Sequence, residues 1–354
     1  MRGTTFLQRR QFLARLGSAG AAALLPPALT AGALVPDARA ATYKPRRIDV
    51  HHHVPPPAYV DWMAQGNPTF RSPLDTSTWS LESALADMDK YGIETAIVSS
   101  PDLNGRLPGD FAPVVRSCNE WLAKLTVDHP GRFGCFGMMP LPNVATTLAE
   151  IAYVLDTLQG DGVRFAPSYA GKYLGDVSFD PVLAELNRRK AVAFVHPTQP
   201  QCCGQMMPDV VSAILEFPFD TMRTITSLLY SGQFAKYPDI RWIFSHGGGT
   251  LPMLAGRISG SFRNPKMQER APRGPIYELQ KIYVDTASAF FPWSWAGVVA
   301  LSGPKHILFG TDDPYVKIAD VDAGLNAVHM PPSLRIAVDR ENALPLFPRF
   351  NKKA

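Results

Sequence analysis

Eight short apolar runs alternate with longer amphipathic stretches from residue 48 onward, and this alternation limits the folds open to the chain. The runs have the length and the β-branched and aromatic content of buried strands, whereas the stretches between them show the three-and-four spacing of helices. The runs are IDVHHH at 48, TAIVSS at 95, FGCFGMM at 133, GVRFA at 162, VAFVH at 192, IRWIFSH at 240, IYVDTA at 282 and HILFGTD at 306. Strands that alternate with helices predict a parallel sheet with crossover helices.

The number of strand-helix units narrows this prediction further. Eight units in about 300 residues fit a (β/α)8 barrel, whose usual size is ~250 residues. An open doubly wound sheet is the alternative, but no GxGxxG turn follows any of the runs. HGGGT at 246–250 is rich in glycine, yet its spacing does not fit a phosphate-binding loop. We therefore predict an α/β fold of the TIM-barrel class.

The first forty residues resemble an export signal. Arg9 and Arg10 precede an apolar stretch at 19–33, and a small-x-small cleavage site follows at 38–40. The arginine pair is typical of the twin-arginine type. A membrane anchor is the alternative, but the apolar stretch is shorter than the ~20 residues of a membrane span. We expect a signal at 1–40, a barrel domain at 41–354 and a periplasmic location.

Composition is that of an ordinary enzyme, with 46% hydrophobic and 19% charged residues. The formal net charge is +4, but the expected signal carries an excess of four positive charges, so the remaining chain is near neutral. No basic stripe or zinc-knuckle spacing indicates binding of nucleic acid. These features favour a small-molecule substrate.

The four cysteines do not form the regular pattern of a disulfide-rich domain. Cys202 and Cys203 are adjacent and either pair with each other or remain thiols. Because nothing else in the sequence requires a disulfide, we predict two thiols.

Histidine or aspartate ends four of the predicted strands. In a strand, His51 and His53 point to the same face, and His196, His246 and Asp312 end later strands. Barrel active sites lie at the carboxyl ends of the strands, so these side chains are expected to meet. Imidazoles with a carboxylate suit Zn²⁺, and also Mn²⁺, Fe²⁺ or Co²⁺. The sequence predicts a metal site there, with His52 facing away from it and packing between barrel and helix.

Several blocks resemble the metal-dependent amidohydrolase superfamily. Within it, they are most similar to the branch of aminocarboxymuconate-semialdehyde decarboxylase and the hydroxybenzoate decarboxylases that act on γ-resorcylate, 5-carboxyvanillate and 6-methylsalicylate. The blocks include IDVHHHVPP, FDPVLAELNRRKAVAFVHPT, SHGGGTLP, YVDTAS and HILFGTDDPY. The resemblance implies a (β/α)8 barrel that holds one divalent metal through His51, His53, His196 and Asp312. It also implies that His246 stands beside the metal as the acid-base residue.

The chain departs from the wider superfamily at two places. No lysine ends the fourth strand, where Arg164 and Phe165 stand, so one metal is expected rather than two. Asp313 follows Asp312, and we keep Asp312 as the ligand because the preceding FGT places it at the family position. Zinc is the expected ion, with manganese as the alternative. The resemblance also implies a homodimer or larger oligomer.

Two reactions remain open for such a site. A metal that chelates an aromatic or enol-type acid favours decarboxylation, with Asp312 or His246 handling the proton. A metal-activated water favours hydrolysis of a lactone, amide or ester. The resemblance favours decarboxylation, and a non-catalytic periplasmic binding protein is a distant third hypothesis.

Substrate contacts are predicted from residues near the expected rim. Arg164 either pairs with a substrate carboxylate or forms a structural ion pair. Aromatic residues in predicted loops and helix starts line an apolar cavity or pack between helices. Of these, Trp79 and Phe290 are taken as candidate substrate contacts.

Overall fold

The computed structural model describes residues 45–66, 79–101, 103, 110–200, 202–203 and 209–351. The chain divides into two units, Met1–Thr42 and Tyr43–Ala354, and the following description concerns the second. The predicted export signal and its cleavage site lie outside the described residues.

Eight parallel strands form one sheet, in the order in which the sequence predicts them. They are β1 (Arg47–His53), β2 (Ile93–Ser99), β3 (Phe133–Met138), β4 (Gly162–Phe165), β7 (Val192–Val195), β8 (Arg241–Phe244), β9 (Tyr283–Asp285) and β10 (Ile307–Leu308). A small antiparallel hairpin, β5 (Ser168–Tyr169) with β6 (Lys172–Tyr173), follows β4. Each of the eight predicted runs overlaps one of the sheet strands, and six contain theirs whole, whereas β1 and β2 begin one and two residues before their runs.

The segment that follows the last strand hydrogen-bonds to the first strand, so the barrel is nearly closed. The N–H of Val50 donates to the carbonyl of Phe309 at 3.0 Å, and the N–H of His53 donates to the carbonyl of Asp313 at 2.7 Å. Inside the barrel, the rings of Phe136 and Phe194 stack with centroids 5.2 Å apart. The ring of Phe194 also lies 5.2 Å from that of His51. The packed aromatic interior thus forms an apolar floor beneath the strand ends.

Helices connect the strands and cover the outside of the barrel. They are α1 (Pro57–Gly66), α2 (Leu81–Lys90), α3 (Ala112–Asp128), α4 (Val144–Ala152), α5 (Asp180–Arg189), α6 (Glu216–Tyr230), α7 (Gln233–Lys236), α8 (Leu251–Ser261), α9 (Pro265–Gln268), α10 (Pro275–Leu279), α11 (Pro292–Ser302), α12 (Ile318–Ala327) and α13 (Pro332–Ile336). Local sequence explains several starts: the Ser80 hydroxyl accepts from the N–H of Ser83 at 3.1 Å, and Asn143 caps α4 in the same way. Among the described helices, none has both the length and the apolar composition that crossing a membrane requires.

The cysteines differ from the sequence prediction at one place. Cys202 and Cys203 are joined by a disulfide, whereas we predicted two thiols. Their Cα atoms are 3.8 Å apart, which is the spacing of any two adjacent residues across a trans peptide. Spacing along the sequence therefore carries no signal for or against this bond. Cys118 and Cys135 are buried thiols, and burial raises the pKa of each to about 12.

Candidate metal centre and active site

Two histidines from β1 converge at the carboxyl end of the barrel. His51 and His53 are fully buried, and their Nε2 atoms lie 3.1 Å apart. The strand holds them on one side, as the alternation of side chains predicts. His196, directly after β7, joins them, and its ring centroid lies 4.7 Å from that of His53. Three imidazoles thus surround one small volume.

Asp312 lies between these histidines and His246. One of its carboxylate oxygens, Oδ1, is 3.1 Å from Nε2 of both His51 and His53, and 3.9 Å from Nε2 of His196. The other oxygen, Oδ2, is 3.2 Å from Nε2 of His246. His246 follows β8 in a short 3-10 turn. The two oxygens of one carboxylate therefore face two different groups of side chains.

Asp285, at the end of β9, supports the site from behind. Its Oδ2 lies 2.8 Å from Nδ1 of His51. Because an ionised carboxylate only accepts, Nδ1 of His51 donates and Nε2 is left facing Asp312. The other oxygen, Oδ1, accepts from the backbone N–H of His246 at 2.8 Å and of Ala287 at 3.1 Å. One side chain thus orients both a histidine of the cluster and the turn that carries His246.

Protonation of the site reflects burial opposed by charge. Burial would lower the pKa of His51, but the charges of Asp285 and Asp312 raise it to about 10. Burial lowers the pKa of His53 to about 4, and it also holds the pKa of His196 well below its usual range. Burial would raise the pKa of Asp312, but His51 and the hydrogen bonds from the neighbouring histidines hold it well below its usual range. Burial thus favours the neutral form of His53 and His196, the form in which imidazole binds metals, whereas His51 would release a proton on binding an ion.

The donor atoms fit a divalent metal ion. At metal–ligand bond lengths of ~2.1 Å, neighbouring ligand atoms lie roughly 3.0–3.5 Å apart, which is close to the separations around Oδ1 of Asp312. Oδ1 of Asp312 and Nε2 of His196 are buried, and among the described residues neither has a partner with good hydrogen-bond geometry. Ligand atoms of His51, His196, His246 and Asp312 all lie within 4.8 Å of one another. A cation among these atoms would satisfy the unpaired groups.

The adjacent carboxylates are separated in space. Asp312 points at the histidine cluster, whereas Oδ2 of Asp313 lies 3.4 Å from Nε2 of His52. His52 is fully buried and faces away from the cluster, as predicted. We expected His52 to pack between barrel and helix. Its surroundings are more polar than that, because Nδ1 of His52 lies 3.2 Å from Oδ2 of Asp49.

A cavity of about 720 Å³ opens above the cluster. His53, His196, His246 and Asp312 line its deep end. Its walls are largely apolar and include the following residues: Tyr59, Val211, Ile214, Phe217, Met253, Trp293, Val298 and Tyr315. Among the described residues that line the cavity, Arg164 is the only Arg or Lys and Asp312 is the only Asp or Glu.

Of the predicted substrate contacts, the structure brings Arg164 to the cavity. It is buried on β4, and its Nη2 lies 3.3 Å from Nδ1 of His196. Trp79 instead packs edge-on against Trp121, with centroids 6.3 Å apart, in the hydrophobic core beside α2. Phe290 is buried against α12, where its ring fills the space that a side chain at Gly324 would occupy. Trp293, three residues later, is the aromatic residue of this segment that reaches the cavity.

Sequence reasoning did not single out Asp285, Phe217 or Tyr315. The aspartate had a usable signal, since it lies near the carboxyl end of the predicted strand IYVDTA. The aromatic residues had none, because their positions depend on how the loops after the strands fold over the site.

A family comparison agrees with this geometry. The family model described as Amidohydrolase matches residues 48–349. The chain belongs to the amidohydrolase family. The match spans every strand of the barrel that carries a residue of the cluster.

Curated relatives of this family member extend over most of its length. The decarboxylase macB of Penicillium terrestre is 34% identical over 323 residues, which is 86% of this chain and 95% of the relative. The 6-methylsalicylic acid decarboxylase of Penicillium expansum is 32% identical over 319 residues, with 86% and 97% covered. Both therefore match most of this chain and nearly all of their own length.

Solved structures share the fold. The 5-carboxyvanillate decarboxylase LigW of Sphingomonas paucimobilis has a TM-score of 0.78 at 18% identity, with 86% of this chain and 99% of that chain covered. A dihydroxybenzoic acid decarboxylase of a Polaromonas species, solved with bound manganese and an inhibitor, has a TM-score of 0.75 at 20% identity, with 88% and 98% covered. At this identity the likeness demonstrates the amidohydrolase-type TIM barrel alone.

Proposed function

We propose that the chain is a metal-dependent, non-oxidative decarboxylase of a hydroxy-substituted aromatic or enol-type carboxylic acid. The observation that carries this proposal is the position of Asp312, with one oxygen among the histidines and the other against His246, at the deep end of an apolar cavity. Relatives named as decarboxylases, at 34% and 32% identity over most of the chain, support decarboxylation over hydrolysis.

One divalent ion would be held by His51, His53, His196 and Asp312. Such an ion, when bound, neutralises and orients a carboxylate and a neighbouring hydroxyl of the substrate. Zinc is the expected ion from the donor set of imidazoles and one carboxylate, and manganese is the alternative. Elemental analysis of protein purified without added metal distinguishes the two, and a value near one equivalent supports a single-ion site.

The proton needed for the reaction would reside on the pair formed by His246 and Asp312. Their 3.2 Å contact lets a proton pass between Nε2 and Oδ2. Transfer of that proton to the ring carbon that bears the carboxylate makes this carbon tetrahedral. The bond to the carboxylate then breaks, its electron pair restores the conjugated ring, and CO2 leaves. Solvent at the cavity mouth returns the proton to the pair.

The lining of the cavity favours a compact, mostly apolar substrate. Its aromatic and aliphatic walls suit a planar ring with an apolar substituent. Arg164 would face the acidic end of that substrate. Arg164→Met is expected to raise KM more than it lowers kcat, whereas a purely structural role predicts a lower Tm with an unchanged KM.

The function is tested by following CO2 release from a panel of hydroxybenzoic acids, including 6-methylsalicylate and 2,6-dihydroxybenzoate, with the Mn²⁺- or Zn²⁺-loaded protein. We expect turnover that requires metal and is lost in His51→Ala and Asp312→Asn. His329→Ala, which changes an exposed histidine away from the site, is the matched control. Metal-independent activity, or hydrolysis of lactones without any decarboxylation, would contradict the proposal.

We also propose that the chain is exported through the twin-arginine route and acts in the periplasm as a homodimer or larger oligomer. The sequence at 1–40 supports export. Met253 and Trp293 line the cavity and are 80% and 78% exposed, which supports a contact with a second subunit at the cavity mouth. Amino-terminal sequencing of the protein from a periplasmic fraction and light scattering of the purified protein test these two points.

A further inference from the structure

The carboxylate of Asp49 joins two segments of the chain at the candidate metal centre. Oδ1 accepts from the backbone N–H groups of His51 and Thr311, both at 3.0 Å. Oδ2 accepts from the hydroxyl of Thr311 at 2.6 Å and lies 3.2 Å from Nδ1 of His52. Asp49 is fully buried, so its carboxylate is solvated by these protein groups instead of by water. One side chain thus contacts both β1 and the segment that precedes Asp312.

The backbone of residues 311–313 depends on this junction. The N–H of Asp312 donates to the carbonyl of His51 at 2.7 Å, and the N–H of Asp313 donates to the Thr311 hydroxyl at 3.1 Å. Asp312 has a φ of +66°, in the left-handed region. Such backbone conformations cost about 1–3 kcal/mol and persist where surrounding contacts hold them. Thr311, held at two atoms by Asp49, is one of the contacts that fix Asp312 in this conformation.

We propose that Asp49 is a positioning residue that acts through Thr311 to set the distance between Asp312 and the two histidines of β1. This inference rests on the metal site of the proposed function. Asp49 is not among the described residues that line the cavity. Its effect is transmitted by the hydroxyl and N–H of Thr311, which precedes Asp312 in the chain.

The test removes the hydroxyl of Thr311 and measures metal binding directly. Thr311→Val keeps the β-branched shape and the backbone N–H but loses the bond to Oδ2 of Asp49, together with the acceptor for the N–H of Asp313. We expect the Mn²⁺ dissociation constant to rise by about 10–100-fold, as for other outer-shell partners of metal ligands. We also expect the visible absorption bands of the Co²⁺-loaded protein to shift. Thr311→Ser restores the hydroxyl and should return both readouts to those of the unmodified protein.

The matched control is Thr95→Val. Thr95 is also buried, and its hydroxyl donates to the carbonyl of Gly131 at 2.7 Å, away from the cluster. This variant should lose stability to a similar degree, measured as Tm of the metal-free protein, with an unchanged Mn²⁺ dissociation constant. Asp49→Asn provides a second test, because an amide has one acceptor oxygen and cannot accept both from the N–H groups of His51 and Thr311 and from the Thr311 hydroxyl. It should weaken Mn²⁺ binding as well.

The outcomes separate this inference from the proposed function. If the unmodified protein binds Mn²⁺ and decarboxylates its substrate while Thr311→Val binds the ion equally well, the role of Asp49 is refuted and the proposed function stands. An equal loss of Mn²⁺ affinity in Thr95→Val also refutes it, because the effect then follows general stability. If the unmodified protein binds no divalent ion, the metal site and this inference fail together.

Discussion

Nε2 of His246 and Oδ2 of Asp312 lie 3.2 Å apart, while the other oxygen of the same carboxylate faces His51 and His53 at 3.1 Å. This arrangement couples a histidine that lines the cavity to a carboxylate that belongs to the buried cluster. The two residues come from strands that lie two positions apart in the sheet, since His246 follows β8 and Asp312 follows β10, with β9 between them. A proton shared by this pair can reach a substrate without passing through solvent.

The first prediction concerns the two members of this pair. His246→Ala is expected to lower kcat by about 10²–10⁴-fold, the usual contribution of a positioned acid-base group, while the protein keeps its metal. Asp312→Asn is expected to lose both metal and activity, because Oδ1 faces the other donors. Steady-state kinetics with elemental analysis of each purified variant measures this difference. Loss of metal in His246→Ala would instead make His246 a ligand.

The second prediction concerns Asp285. Its Oδ2 receives His51 Nδ1, and its Oδ1 receives two backbone N–H groups. In Asp285→Asn, the single amide oxygen can accept either from Nδ1–H of His51 or from the two backbone N–H groups. The amide NH2 then faces the remaining N–H, which is also a donor. We expect metal affinity to fall by about 10–100-fold. Calorimetric titration with Mn²⁺ measures the change.

Asp176→Asn is the control for this variant. Asp176 accepts from the N–H of Ser178 at 2.9 Å in a local turn. Its replacement should leave Mn²⁺ affinity unchanged. Equal affinities of Asp285→Asn and the unmodified protein would show that the His51 contact does not tune the site.

The third prediction concerns the glycines after His246. Gly249 has a φ of +65°, and a Cβ there would lie 2.2 Å from the carbonyl oxygen of Pro218. Gly249→Ala is therefore expected to lower the free energy of unfolding by about 2–4 kcal/mol, from strain and the forced movement of α6. Gly256→Ala is the opposite case, because this exposed glycine lies within α8 and a Cβ there meets nothing within 4 Å. It should stabilise the protein by about 0.5–1 kcal/mol, and urea unfolding of both variants compares them.

The strands and the residues that end them were predictable, because each depends on a short stretch of chain. An apolar run such as VAFVH indicates both a buried strand and the position of His196 at its end. The face shared by His51 and His53 follows from the alternation of side chains in a strand. All eight predicted strands are present for this reason.

Contacts between distant segments were not predictable in this way. The bond from Thr311 to Asp49 joins residues 262 positions apart, and no local pattern in the sequence pairs them. The positions of Trp79 and Phe290 depend on how loops and helices pack, which periodicity does not encode. The disulfide between Cys202 and Cys203 depends on a local loop conformation that spacing along the chain does not reveal.

The fourth prediction concerns the pH dependence of stability at Asp220. Burial raises the pKa of Asp220 to about 6, and Glu216 raises it further, whereas the hydrogen bond from Tyr173 and the charge of Arg223 oppose this. The folded protein therefore holds a proton on Asp220 at pH values where the unfolded chain, with a pKa near ~4, has lost it. This contribution to stability is present below pH ~4 and is lost as the pH rises through about 6.

Asp220→Asn cannot titrate and keeps an acceptor for the Tyr173 hydroxyl. Its free energy of unfolding, relative to the unmodified protein, should therefore rise by about 1–3 kcal/mol between pH 4.5 and 7.5. Glu185→Gln should show the opposite sign, because hydrogen bonds from Arg188 and Arg189 lower the pKa of Glu185 to about 2. Glu185 lies on the surface, so its replacement should cost less than about 1 kcal/mol at neutral pH, and the difference should shrink below pH ~4.5. Urea unfolding across this pH range measures both variants, and parallel curves for Asp220→Asn and the unmodified protein would show that Asp220 is already ionised at low pH.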